Sequence, residues 1–178
     1  LKEDGEMARL PDLIEYAKVH KLKIGTIADL IEHRSHTEKL VECVASRNVQ
    51  TAYGELELRT YVDKTTQRTH LALVKGKIQP QEETLVRVHE PLSALDFLEQ
   101  TSYPNSTSVH DALLKIKQAP AGVLVLLHHN ETSQDLLARA AAKPETHHAA
   151  RWDPRNYGIG AQILRDLNVG KMRLIATP

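Results

Sequence analysis

The chain has 178 residues, enough for one full domain and a short piece of a second. Its 23 Lys and Arg residues balance 23 Asp and Glu, so no net positive field exists to draw nucleic acid or anionic lipid to the surface. A single cysteine, Cys43, excludes an internal disulfide framework and a thiolate zinc site, and no apolar run approaches the roughly 20 residues of a membrane span. A soluble protein in a reducing, cytoplasmic setting is expected. Aromatic residues make up only 4% of the chain, so the core must come from Leu, Val, Ile and Ala, which suits an α/β architecture.

In chain order, Leu13, Ile14 and Ala17 recur at helical spacing behind Pro11, predicting a helix over 11–20. A short strand is expected over 22–27 and further helix over 28–34. The polar stretch 35–39 reads as a linker, and Leu40, Val41 and Val44 open a new apolar pattern. Alternation of apolar and polar residues from Val49 to Val62 predicts one half-buried strand, followed by strands over 71–74 and 84–89. Three strands in succession predict antiparallel pairing through short connections.

The second half changes character. A helix is predicted over 109–116, and the continuous apolar run 122–127 reads as a strand covered on both faces. Helices follow over 133–142, with Ser133 as N-cap, and over 158–167, closed by Asn168 and Gly170; residues 172–176 form a last strand. Antiparallel strands followed by alternating helix and strand make the fold class α/β (α+β).

Two stretches resemble known families. Residues Glu3-Asp4-Gly5 through Leu13, and Thr26 to Ile31, resemble the end of a dihydroxybutanone-phosphate synthase domain. Leu71 to Gly76, Leu85 to His89, and Tyr157 to Leu167 resemble GTP cyclohydrolase II. The resemblance implies a synthase-like tail over 1–34, a linker over 35–39 and a cyclohydrolase-like domain over 40–178 that is truncated at its C-terminus, where the family's closing loop is shortened to Ala176-Thr177-Pro178. It also implies a homodimer, and a parent protein whose magnesium-dependent synthase converts ribulose 5-phosphate to 3,4-dihydroxy-2-butanone 4-phosphate and formate. The glutamate that binds metal in that synthase family precedes the first residue of this chain.

Ring opening of GTP calls for a metal-activated water. In the family three cysteines hold the zinc, and counting forward from His89 the resemblance sets Leu92, Tyr103 and Asn105 at those positions. None is a strong zinc ligand, so no zinc is expected. Ten histidines are present, among them His89, His110 and the pairs His128-His129 and His147-His148, but adjacent histidines point different ways and a pair offers one ligand at most. The turn that grips the triphosphate in the family reads His128 to Gln134 here, without glycine or arginine and with the carboxylate of Glu131, so GTP or a phosphorylated metabolite would bind only weakly.

Asp153 and Arg155 resemble the family's proton-accepting aspartate and nucleophilic arginine, and Arg87 and His89 its substrate-contacting segment. Each pair has two readings. Asp153 and Arg155 are vestiges acting as an ordinary helix cap and surface charge, or they serve an altered nucleotide hydrolase. Arg87 and His89 are a strand-end cation and a satisfied histidine, or a vestigial anion site. A degenerate cyclohydrolase-like module with a structural or regulatory role is the expectation.

Overall fold

A computed structural model describes residues 2, 5–89, 108–128, 131–141 and 154–176. The chain divides into two compact units, Leu1–Glu38 and Lys39–Pro178.

The first unit holds helices α1 (Leu10–Val19) and α2 (Ile27–Thr37). Pro11 occupies the first turn of α1, and the Arg9 amide donates to the Asp12 carboxylate at 2.8 Å. Thr26 opens α2 by reciprocal capping: its hydroxyl accepts from the Asp29 amide and its own amide donates to the Asp29 carboxylate, both at 3.0 Å. The strand expected over 22–27 does not form, because no described segment of this unit pairs with it, and an unpaired strand leaves its backbone groups unmatched. Helix α2 runs to Thr37, into the stretch 35–39 expected to be a linker, and the forked pair of Arg34 with Glu38 sits at its end. Ala17 is the buried apolar residue of α1, while Leu10, Leu13, Ile14, Val19, Ile27 and Leu30 stay exposed.

The second unit is built on a six-stranded sheet in the order β1-β2-β3-β5-β4-β6. Strands β1 (Val41–Thr51), β2 (Gly54–Asp63) and β3 (Thr69–Lys75) form an antiparallel meander. The stretch expected as one strand is therefore part of a hairpin. Its turn is made by Ala52 and Tyr53, Gly54 adopts φ +105°, and the Thr51 hydroxyl accepts from the Tyr53 amide while donating to the Gly54 carbonyl. Across this turn the alternation changes phase, from odd-numbered Val49 and Thr51 to even-numbered Leu56 and Leu58, and Val49 thereby pairs with Leu56 on one face.

Strand β4 (Glu83–His89) leads to helix α3 (Val109–Gln118) and strand β5 (Gly122–Leu126); helices α4 (Ser133–Ala141) and α5 (Pro154–Asp166) and strand β6 (Lys171–Leu174) follow. β5 pairs antiparallel with β3 and parallel with β4, and β4 pairs parallel with β6. The antiparallel pairing expected between the strands over 71–74 and 84–89 is thus corrected: β5 separates them. All five residues of β5 are buried, and only an interior position covers both faces and both edges of so apolar a strand.

Two cores result. Val86, Val123 and Val125 pack with Ile159, Ile163 and Leu164 of α5 on one face, and Leu85, Leu124 and Leu126 pack with Ala112, Leu113 and Ile116 of α3 on the other. The glycines test the local geometry. Gly54 has open space around its missing side chain, whereas at Gly76, φ +70°, a Cβ would press into the Pro120 carbonyl. Gly54→Ala is expected to cost about 1 kcal/mol through backbone conformation alone, and Gly76→Ala about 2 kcal/mol or more, as read from urea unfolding midpoints.

Candidate functional site

Helix α3 links β4 to its neighbour β5 on one face, and the return from β5 to β6 carries α5 across the other face. The chain therefore changes direction at β4 and β5, and the carboxyl ends of such a strand pair are where open α/β sheets generally place their ligands. The two ends are joined where the Leu127 amide donates to the His89 carbonyl at 3.0 Å.

Arg87 and His89 stand on the face of β4 shared with Leu85, toward α3, by the two-residue alternation of a strand. The Arg87 guanidinium donates from Nη1 to the Ile175 carbonyl at 3.0 Å, tying the segment after β6 to β4. Helix α3 begins nearby. Ser108 caps it by accepting from the Asp111 amide at 3.0 Å and donating to the Asp111 carboxylate at 2.9 Å. In the first turn, His110 Nδ1 meets the Tyr53 hydroxyl at 2.7 Å, with the rings edge to face at 5.6 Å. The β1–β2 hairpin tip is thereby docked on α3, and Lys117 Nζ adds a bond to the Ala52 carbonyl.

Helix α5 approaches the same strand ends from the opposite face. A Cβ on Gly160 would lie 3.4 Å from Val88 Cγ1 and 3.8 Å from Leu127 Cδ1, so the helix rests closely on both strands. Arg155 lies in the first turn of α5, although its side chain falls outside the described residues, as does Asp153 altogether. Arg87 and His89 thus share one face of the sheet, and the helix carrying Arg155 covers the other.

Leu92, Tyr103 and Asn105 also lie outside the described residues. The three-cysteine zinc site of the family cannot be built from this chain, which has one cysteine. That cysteine, Cys43, is on β1, separated from β4 by β2, β3 and β5. Four strand spacings of about 4.8 Å put it roughly 19 Å from β4 across the sheet. Among the described residues no three His, Cys, Asp or Glu side chains converge as metal ligands.

Beyond β5, His128 is exposed. Helix α4 is capped by Thr132, one residue earlier than expected, because the Asp135 carboxylate accepts from both the Thr132 amide and hydroxyl at 2.9 and 2.7 Å while the Asp135 amide donates back to that hydroxyl. A carboxylate already sits at the amide end of this helix, where a phosphate would otherwise be drawn.

Two participants escaped sequence reasoning. Tyr53 marks the hairpin turn, and its partner His110 is 57 residues away. His70 is 4% exposed and accepts from the His128 amide through Nδ1, which assigns the proton to Nε2, an atom with no hydrogen-bond partner. Its only sequence signal is its place on the stripe of Ala72 and Val74. Burial lowers the His70 pKa, with Arg68 and His128 acting in the same sense and the Asp63 carboxylate opposing them. The folded chain therefore keeps a neutral imidazole at pH values where the unfolded chain, near 6.5, takes up a proton. This contribution to stability is complete above the unfolded value and is lost as pH falls toward the folded one. His70→Gln, which keeps an acceptor for the His128 amide, is expected to reduce the fall in Tm between about pH 7.5 and about pH 5.5, as measured by circular dichroism melts.

The family model of GTP cyclohydrolase II matches residues 42–178. A 3,4-dihydroxy-2-butanone 4-phosphate synthase of Neisseria meningitidis serogroup B is 51% identical over 178 residues, covering 100% of this chain and 48% of that protein. The synthase of the same name from Pseudomonas aeruginosa is 41% identical, with 100% and 49% covered. The riboflavin biosynthesis protein RibBA of Aquifex aeolicus is 38% identical, with 98% and 46% covered. Among solved structures, RibBX of A. baumannii, a two-domain 3,4-dihydroxy-2-butanone 4-phosphate synthase, superposes with a TM-score of 0.69 at 39% identity, covering 100% of this chain and 46% of that one. The chain spans about half the length of the relatives it matches.

Proposed function

The chain belongs to the GTP cyclohydrolase II family, and from that membership we propose that it is the trailing part of a riboflavin-biosynthesis synthase, with a cyclohydrolase-like unit that acts structurally or as a regulator instead of hydrolysing GTP. In this reading the upstream domain, with magnesium, makes 3,4-dihydroxy-2-butanone 4-phosphate and formate from ribulose 5-phosphate. Residues 1–34 are its last segment. The exposed apolar residues of α1 and α2 support this assignment, since a helix pair burying so little apolar surface needs further chain to pack against.

The observation that carries the loss of hydrolysis is the donor set. One cysteine, on β1 at the far side of the sheet from β4, cannot supply a thiolate site beyond His89. A water left without a Lewis acid is a poor nucleophile at neutral pH. The carboxylate of Asp135 at the start of α4 and the placement of Arg87 and His89 on the face away from α5 weaken a triphosphate grip further. Asp153 and Arg155 then remain as a helix-leading pair without a reaction to serve. The protein is a cytoplasmic homodimer in this reading, without a nucleic-acid or membrane partner.

Elemental analysis and titration calorimetry on the purified chain, with zinc and magnesium supplied, check the proposal. Neither stoichiometric zinc nor micromolar GTP binding is expected from a folded sample. Stoichiometric zinc together with tight GTP binding would sink the reading and favour a nucleotide hydrolase using Asp153 and Arg155.

A further inference from the structure

The chain passes from its first unit to its second between Glu38 and Lys39. The first two residues of the second unit are held by the same helix. Lys39 Nζ lies 2.7 Å from Asp166 Oδ1, and the Leu40 amide donates to Gln162 Oε1 at 2.7 Å. The other Asp166 oxygen accepts from the Tyr61 hydroxyl at 3.0 Å, and the Leu40 carbonyl accepts from the Lys64 amide at 2.8 Å. Tyr61 is fully buried and Gln162 nearly so.

We propose that α5 is a positioning element that sets how the chain enters the cyclohydrolase-like unit, through Gln162 and Asp166, and thereby couples the ends of β4 and β5 to the domain upstream. This rests on the regulatory reading above. Gln162 is a polar residue among Ile159, Ile163 and Leu164, where an apolar side chain would pack without needing a partner; the Leu40 amide is what its oxygen serves. Gly160, only six residues before Asp166 and about 9 Å along the helix axis, is the contact with Val88 and Leu127 at the strand ends. A helix is stiff over so short a span, so a shift of α5 at the strand ends carries Leu40 with it.

The clamp is charged as well as hydrogen-bonded. Burial alone would raise the Asp166 pKa, but the bonds from Lys39 and Tyr61 outweigh it and hold the carboxyl below its usual range, and Asp166 raises that of Lys39. The Lys39 side chain is 66% exposed, so the ion pair contributes little stability, and the hydrogen bond of Gln162 to the Leu40 backbone is the firmer half.

The test uses the full-length protein. Gln162→Met removes the acceptor, Asp166→Asn is a milder change, Lys39→Arg keeps a cation on Asp166, and Ile116→Ala loosens the unit on the opposite face. Gln162→Met is expected to speed amide exchange at residues 40–44 by about fivefold or more. Gln162→Met and Asp166→Asn are expected to shift the synthase kcat by about threefold or more, with Lys39→Arg at parental values and synthase melting unchanged. Unchanged exchange in Gln162→Met, or faster exchange with parental kcat while Ile116→Ala does alter kcat, overturns the clamp and leaves the regulatory reading standing. Parental kcat in every variant overturns both.

Discussion

Strand β5 is the constraint on which the second unit depends. Its five residues are all buried, and the alternation of a strand sends Val123 and Val125 to one face and Leu124 and Leu126 to the other. Burying such side chains stabilises by about 1.5–3 kcal/mol each, but only if both faces are covered and both edges are paired. β3 and β4 supply the edges, and α3 and α5 supply the faces. Once β5 lies between β3 and β4, the chain must cross the sheet twice to reach it and to leave it, once on each face. The change of direction at β4 and β5 follows from that routing and does not depend on any one residue at the strand ends.

This separation shows how the fold stands apart from the chemistry it carries. Among the described residues both cores are built mainly from the strands and from α3 and α5, and the bond from Arg87 to the Ile175 carbonyl ties the segment after β6 to β4. A fold whose cores are independent of its chemistry can change that chemistry and keep its shape.

The α/β class was legible because β5 and the helices each show their own period. What escaped was pairing and turning. The hairpin at Ala52 and Tyr53 is marked only by the change of phase from Val49 and Thr51 to Leu56 and Leu58 and by Gly54, signals that a reading of one continuous strand passes over. The interposition of β5 between β3 and β4 is a long-range choice, made by burial and not by sequence order. Residues 22–27 have strand-like composition but lack a partner, and composition cannot report a missing partner. Arg87 and His89 were identified in the strand, whereas the bond from Arg87 to Ile175 and that of Tyr53 to His110 span 88 and 57 residues and leave no periodic trace.

The two faces also differ in kind. All four buried polar residues among those described, Asp63, His70, Thr84 and Gln162, lie on or against the α5 face, where Tyr61 also reaches Asp166. The α3 face buries Val109, Ala112, Leu113 and Ile116 against leucines and an isoleucine. Apolar packing tolerates small slides, since one methyl contact replaces another at little cost. A hydrogen-bonded buried group such as the Gln162 amide or the Tyr61 hydroxyl does not, because its partner is present in one register only and losing it costs about 1–3 kcal/mol. The α5 face therefore gives up the simpler stability of an apolar seam for a fixed placement, and the helix so fixed is the one that reaches from the strand ends to the point where the chain enters the unit.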